Sequence, residues 1–237
     1  MSALMGSGAL MLWLDVAPEL DRETDGWYID EHMPERIDIG GYLRARRFGA
    51  LEGAPAYLTM FEAQTPAALA SEGYLRLVNR ISEQSKRIRA GFSNVARNTF
   101  QVRYSAGRGI GPIVASLRLT PVSASRAGAA VAALDGAAPN ILRRQGVVGV
   151  HWLEAAPDVR ARMDAVRAVG QSDASVDYVL LIEATRVADV AAIRRDAVSA
   201  AALGRMGWAE QGFGIYSLMY EVSAMAKGIE TTLGDRL

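Results

Sequence analysis

The chain of 237 residues has no cysteine and only two histidines, His32 and His151. The first absence excludes a disulfide, a thiolate nucleophile and a zinc–sulfur site, and the second excludes a metal cage built from histidine alone. Net charge is missing too: 26 Lys and Arg residues are offset by 26 Asp and Glu. No global field therefore favours nucleic acid or an anionic membrane, and neither is expected as a partner. Long apolar runs are absent. The longest, Ala9 to Leu14 with Val16 close behind, falls far short of the ~20 residues of a membrane span, and no basic stretch of the leader type precedes it. These features together lead to the expectation of a cytoplasmic chain. No Walker sequence, Gly-x-Ser-x-Gly elbow or His-Glu-x-x-His occurs. Gly107-x-Gly109-x-Gly111 runs into an expected strand rather than a helix, fails the dinucleotide test on that ground, and reads as a linker.

Half of the residues are hydrophobic, enough for a substantial core, and they recur in an ordered way. The segment from Trp27 to Leu51 can be laid on Ala132 to Ala156 so that Asp30 meets Asp135, Pro34 meets Pro139 and Gly41 meets Gly146, all at one offset of 105 positions. Further on, AYLTMFEA (Ala56 to Ala63) matches DYVLLIEA (Asp177 to Ala184), and FQVRYS from Phe100 matches the segment from Tyr216, at offsets of 121 and 116. Four elements matched in one order read as a duplication, with a longer loop after the second strand of the second copy.

Each copy reads strand, helix, strand, strand, helix, strand. Leu10 to Val16 opens the first, Gly26 to Glu35 is its first helix, which Pro34 should end or bend, and Tyr42 to Phe48 and Ala56 to Glu62 form a hairpin. A long helix is expected from Pro66, and a closing strand over Thr99 to Tyr104. In the second copy the strands are expected at Ile113 to Leu119, Val147 to Leu153, Val176 to Glu183 and Gly214 to Val222. Its helices are expected at Ala127 to Asn140 and Val187 to Arg205. The fold class is therefore α+β: two fused ferredoxin-like β-α-β-β-α-β units, one over 8–106 and one over 112–223, joined by 107–111 and followed by an extension over 224–237. Apolar residues on both strand faces imply that the two sheets bury each other within one chain.

Trp27-Tyr28-x-x-Glu31-His32-Met33-Pro34-Glu35, Gly41-Tyr42-Leu43-x-Ala45-x-Arg47-Phe48 and Ser93-Asn94-x-x-Arg97-Asn98-x-Phe100 together resemble the signature of EthD-like proteins in the dimeric α+β barrel superfamily. Gly40 stands where many relatives carry proline. The resemblance covers the first copy well. In the second it survives only in outline, because Ala132, Ala133 and Ala137 replace Trp27, Tyr28 and His32, so a pocket of catalytic character is expected in the first copy. The resemblance implies the fold but not one reaction, since such relatives include cofactor-free isomerases, cyclases, dehydratases and monooxygenases as well as proteins without known activity.

From the residues themselves, Tyr28 and His32 lie four apart on one helix face, and Glu31 neighbours Trp27. An imidazole beside a phenol suits proton transfer near neutral pH, with His32 and Tyr28 as catalytic candidates. The bland alternative is that His32 bonds a free carbonyl at a helix end while Tyr28 and Trp27 pack on the sheet. Trp13, Trp27, Arg44, Arg46, Tyr57 and His151 are the candidates for substrate contact. Arg44, Arg46 and Phe48 share a strand face, and Arg46 corresponds to His151 by the repeat. The cluster Lys86, Arg87 and Arg89 with Arg97 and Arg103 reads as a solvated helix face.

The expected activity is a cofactor-independent isomerase, cyclase or lyase acting on a small apolar or aromatic carbonyl compound, with no metal. The alternative is a non-catalytic binder or accessory protein of a catabolic or oxygenase system. A third reading, haem binding as in chlorite dismutase relatives, would need His32 as the proximal ligand. Two such barrels pairing as a homodimer would be compatible with all three.

Overall fold

Strand β1 (Gly8–Val16) shows why the apolar runs are short but nearly unbroken. Ala9, Met11 and Trp13 face one way and Leu10, Leu12 and Leu14 the other, and of these only Leu12 is not fully buried. Such a strand needs cover on both sides. The cover comes from a closed barrel with helices outside it. The computed structural model describes residues 4–166 and 173–224, so the expected extension over 224–237 lies, beyond Ala224, outside the described residues.

After β1 come α1 (Asp21–Trp27), a π-helical turn (Tyr28–His32) and α2 (Met33–Asp38), then β2 (Tyr42–Gly53) and β3 (Tyr57–Ala63). A 3-10 turn (Pro66–Ala70), α3 (Glu72–Val78) and α4 (Glu83–Ala90) lead to β4 (Phe92–Gly107). The second half runs β5 (Ile113–Pro121), α5 (Ala127–Leu142), β6 (Val147–Ala155), α6 (Pro157–Asp164), β7 (Tyr178–Ala184), α7 (Val187–Arg195), α8 (Ala200–Arg205) and β8 (Trp208–Ser223). The strands close in the order β1-β3-β2-β8-β5-β7-β6-β4, and all eight pairings are antiparallel. Read around the ring, β4-β1-β3-β2 is followed by β8-β5-β7-β6, the same order in both halves. The halves meet edge to edge, β2 on β8 and β4 on β6, which leaves no unpaired edge.

Several expected boundaries shift for identifiable reasons. The closing strands are 16 residues each rather than six to nine, because each pairs within its own half and again across the seam. The two long helices are broken. Ser71, Ser82 and Ser199 each accept a backbone N–H three residues on and so restart a helix as N-caps. The long loop of the second half contains α6, whose Met163 is fully buried in the helix layer of the first half. Gly41 and Gly146 both adopt positive φ, +85° and +76°, just before β2 and β6.

Three cores result. Two are helix-on-sheet layers outside the barrel, one for each half. The third fills the barrel with Trp13, Phe48, Met60, Phe100, Leu181 and Tyr216. At one end of this interior lies a charged network. Glu62 accepts from Arg44 Nε (2.9 Å) and Nη2 (2.7 Å), from Arg46 Nη2 (2.9 Å) and from the Met5 backbone N–H (2.7 Å). Glu183 accepts from Arg46 Nη1 (2.7 Å) and the Gly111 N–H (2.8 Å). Burial pushes the Glu183 carboxyl up, but Arg46 and His151 outweigh it and hold it at about 2.

Removing one member of a buried ion cluster strands the others. Glu62→Ala should lower unfolding free energy by about 3–5 kcal/mol, read from urea unfolding midpoints. Glu72→Ala, which breaks only the exposed Arg76 pair, should leave the midpoint where it is.

Candidate functional site

Pro34 shapes the site. Inside an α-helix a proline lacks the N–H for its bond and presses its ring on the carbonyl four residues back, here Asp30. The chain widens instead of breaking: Met33 donates its N–H to Tyr28 O, five residues back, and the helix continues to Asp38. A π-turn is a common device at functional sites. Its effect is to bring Trp27 and His32, five apart, into a stack with ring centroids 4.0 Å apart at 29°. Tyr28 and Phe61 meet the imidazole edge-on at 5.1 and 5.9 Å.

Beside this stack, between α1, α2, α3 and α4 and the outer face of the first half's strands, lies a cavity of about 80 Å³, partly open to solvent. Leu10 and Leu12 of β1, Phe61 of β3 and Phe92 and Val95 of β4 form its floor, and Tyr74 and Val78 of α3 its side. Its polar lining is Tyr28, His32, Arg36, Arg89 and Arg97, with no carboxylate among the described lining residues. Glu31 faces away. It accepts hydroxyl protons from Ser82 and Ser85, both at 2.7 Å, and Ser85 in turn accepts the Trp27 indole N–H at 2.9 Å. Burial pushes the Glu31 carboxyl up, and these bonds outweigh it and lower it. Glu31 thus fixes Trp27, and through it the His32 ring.

His32 is 6% exposed. Its Nδ1 lies 3.0 Å from Arg36 Nη1, which also donates to the His32 carbonyl at 3.1 Å. A guanidinium has no acceptor, so Nδ1 must accept and the ring proton sits on Nε2. Burial, then the charges of Arg36, Arg89 and Arg47, push the imidazole well below its usual range. It is neutral at neutral pH, with its lone pair already engaged. What it offers a ligand is the Nε2–H donor, which has no partner among the described residues. This corrects the expectation of a proton shuttle titrating near neutrality.

No family model matches the chain, and no curated protein matches it. Solved structures do. An anthrone oxidase-like protein aligns over 100% of this chain and 99% of its own at 16% identity with a TM-score of 0.62. A candidate monooxygenase from Fusobacterium nucleatum aligns over 93% and 96% at 8% identity and 0.57. A mutant chlorite dismutase from Candidatus Nitrospira defluvii, in complex with cyanide, aligns over 90% and 91% at 12% identity and 0.52. The fold is that of the ferredoxin-like dimeric α+β barrels. At these identities the likeness carries the fold alone.

Strand parity separates the expected site residues into two groups. His32, Tyr28 and Trp27 line the outer cavity. Trp13, Arg44, Arg46 and His151 lie on the opposite face of the wall, inside the barrel, and cannot share a ligand with them. Arg46 and His151 do approach one another, but around Glu183, with His151 Nε2 3.5 Å from Oε1. Arg46 is fully buried and divided between two carboxylates, so it anchors the barrel rather than a substrate. Trp13 donates to Ser116 Oγ at 3.1 Å. Tyr57 is on the helix side but away from the cavity, bonded to Asp21 and stacked on Arg47.

The three charged lining residues, Arg36, Arg89 and Arg97, were not among the expected contacts. Arg36 was legible, since it follows His32 by four. Arg89 and Arg97, expected on a solvated face, turn inward. Arg97 is on the outer face of β4, 3% exposed, and is tied to Asp164 of α6 at 2.8 Å. Its N–H bonds Ala174 O at 3.0 Å. The second half thus holds a side chain of the first half's cavity.

A cavity of 80 Å³ also decides the haem reading. Cofactor pockets run to roughly 300–1,000 Å³, and the His32 ring is covered on its face by Trp27 and carries its proton on Nε2, the nitrogen an iron would need. The residues do not fit a haem.

The unfolded chain binds a proton at His32 near pH 6.5 that the folded chain refuses. The stability tied to a neutral His32 is therefore complete above that pH and is lost as pH falls below it, at up to about 1.4 kcal/mol per pH unit. His32→Gln should show a smaller loss of urea stability between pH 7.5 and 5.5 than the parent protein.

Proposed function

We propose that the chain is a small-molecule-processing protein whose site is the cavity beside His32. In this reading it is a cofactor-independent enzyme of the isomerase, cyclase or lyase type, acting on a small aromatic or apolar carbonyl compound. The observation that carries the proposal is the neutral, buried imidazole with a free Nε2–H in an otherwise aromatic and cationic cavity. Such a donor, fixed before the ligand arrives, polarises a carbonyl and stabilises the oxygen as negative charge develops on it. Trp27, Phe61 and Tyr74 supply flat apolar surface, and Tyr28 a second polar edge. The barrel fold, shared with monooxygenase-like and chlorite dismutase-like proteins, agrees with small-molecule chemistry or an accessory role. The repeated strand order in the two halves supports the further reading of two fused copies, of which the first, with its EthD-like motif, carries the site.

The lining favours one alternative. With no carboxylate there and the His32 lone pair engaged, the cavity lacks an evident general base, so a non-catalytic binder or accessory protein is the second reading.

The two separate in one set of measurements. A panel of small aromatic ketones and phenols is screened by Trp27 fluorescence, with Trp27→Phe as the control, and bound compounds are followed for chemical change. His32→Ala should cut turnover by ~10²–10⁴-fold while leaving the melting temperature within a few degrees, and His151→Ala should leave turnover intact in the folded fraction. Bound compounds recovered unchanged from the parent protein would favour the binder. A His32→Ala variant that loses activity only in proportion to its folded fraction would make the histidine structural.

A further inference from the structure

Arg36 is 5% exposed, yet it has no carboxylate partner among the described residues. The other buried arginines differ: Arg44, Arg46, Arg47 and Arg97 each have one within 2.9 Å. A guanidinium cannot shed its proton, so an unpaired one in a buried setting keeps its full charge and a desolvation cost. Both bonds that Arg36 makes come from Nη1, to the His32 ring and carbonyl. Its Nε is buried and unbonded, and Nη2 has no partner among the described residues. The unused donors are therefore those of the Nε/Nη2 edge. That edge is the one with which Arg44 grips both oxygens of Glu62, at 2.9 and 2.7 Å. The guanidinium is held over Phe61 and Tyr74, 5.5 and 5.8 Å from their ring centroids, which fixes its plane.

We propose that the cavity is a carboxylate site, in which the Nε/Nη2 edge of Arg36 and the Nε2–H of His32 hold the oxygens of a compact planar monocarboxylate. The proposal rests on the reading of this cavity as a ligand site and narrows it to anions. Charge at the cavity agrees, since Arg89 and Arg97 add cationic lining, Arg97 being paired with Asp164, and no carboxylate is among the described lining residues. A bidentate arginine recognises a carboxylate by shape as well as charge. Size agrees with a compact ligand: the cavity has about 80 Å³, near half the ~150 Å³ of an engineered cavity that takes up benzene. It encloses a carboxylate and leaves the rest of the ligand at the open side.

The test titrates benzoate and its neutral isostere benzamide into the full chain by calorimetry and ligand-observed NMR, with melting temperatures for every variant. Benzoate should bind at least tenfold tighter than benzamide. Arg36→Met should erase that preference without lowering the melting temperature much, because it removes an unpaired charge along with two hydrogen bonds. Arg36→Lys keeps the charge but loses the edge, and should weaken benzoate several-fold while leaving benzamide unchanged. Should Arg36→Met fail to fold, the parent and Arg36→Lys comparison decides. Equal binding of benzoate and benzamide to the parent would overturn the carboxylate site while leaving the cavity a ligand site. A preference that survives in Arg36→Met would place the anion elsewhere and overturn the assignment. Binding of neither compound at millimolar concentration would overturn the carboxylate site and count against the cavity as a ligand site at all.

Discussion

Closure of eight antiparallel strands into one ring is the constraint from which the rest follows. Once β2 is bonded to β8 and β4 to β6, each strand has a face in the barrel and a face under helices, and each change of parity moves a side chain from one enclosed space to another. Polar residues on the wall must then be satisfied where they point. Inside, Arg44 and Arg46 meet Glu62 and Glu183, a closed cluster of matched charge. Outside, one position further along the same strand, Arg47 bonds Asp25 and Thr59 and is stacked between Tyr28 and Tyr57, 4.4 and 4.2 Å from their centroids. Two neighbouring arginines thus serve different cores.

The outer layer of the first half tolerates what the barrel interior does not. Its helices are short, α3 and α4 capped by serines, the π-turn leaves the ladder of helix bonds irregular, and the aromatic rings of Trp27, Tyr28, Phe61 and Tyr74 stand around a space they do not fill. The cations Arg36, Arg89 and Arg97 line the space with no carboxylate among the described lining residues; Arg97 is paired with Asp164, which also meets Arg160, and Glu31 is bonded to the serines of α4. A buried guanidinium without a carboxylate partner among the described residues, as at Arg36, is costly for stability and useful for recognition, and functional sites are where proteins retain such arrangements. The second half has alanine at the three corresponding positions, and its helix α5 packs on the sheet through Ala130, Leu134, Ala138 and Ile141 with full burial.

The mechanism available to His32 turns on one hydrogen bond. Were Nδ1 free, the ring would be a base in a buried setting. With Arg36 donating to it, the ring becomes a fixed donor through Nε2–H, and burial with the nearby positive charges keeps it from acquiring a second proton. Arg36 therefore acts on both partners of the site at once, orienting the imidazole with Nη1 while its other edge remains for a ligand. Neither function is carried by the motif residues alone, since Arg36 lies just beyond the Glu-His-x-Pro segment.

The sequence by itself determined the order of the eight strands and where helical segments fall between them, though not α6 or the breaks in the long helices. Paired turn glycines at 41 and 146, prolines at 34 and 139 and apolar strands of matching length state a repeated α+β pattern in local terms, and local chemistry is what a linear reading can weigh. It also singled out Trp27, Tyr28 and His32, because their spacing on one helix needs no distant partner to be noticed. Only the tertiary structure decided which face of the wall each strand residue occupies. Arg46 and Arg47 are adjacent letters of equal charge, and nothing near them says that one enters the barrel and the other the helix layer until ring closure fixes the register. Arg97 likewise reads as a surface cation until Asp164, 67 positions away, is brought beside it. The tautomer of His32 and the open edge of Arg36 depend on distances of about 3 Å between groups, and such distances are set by packing, not by spacing along the chain.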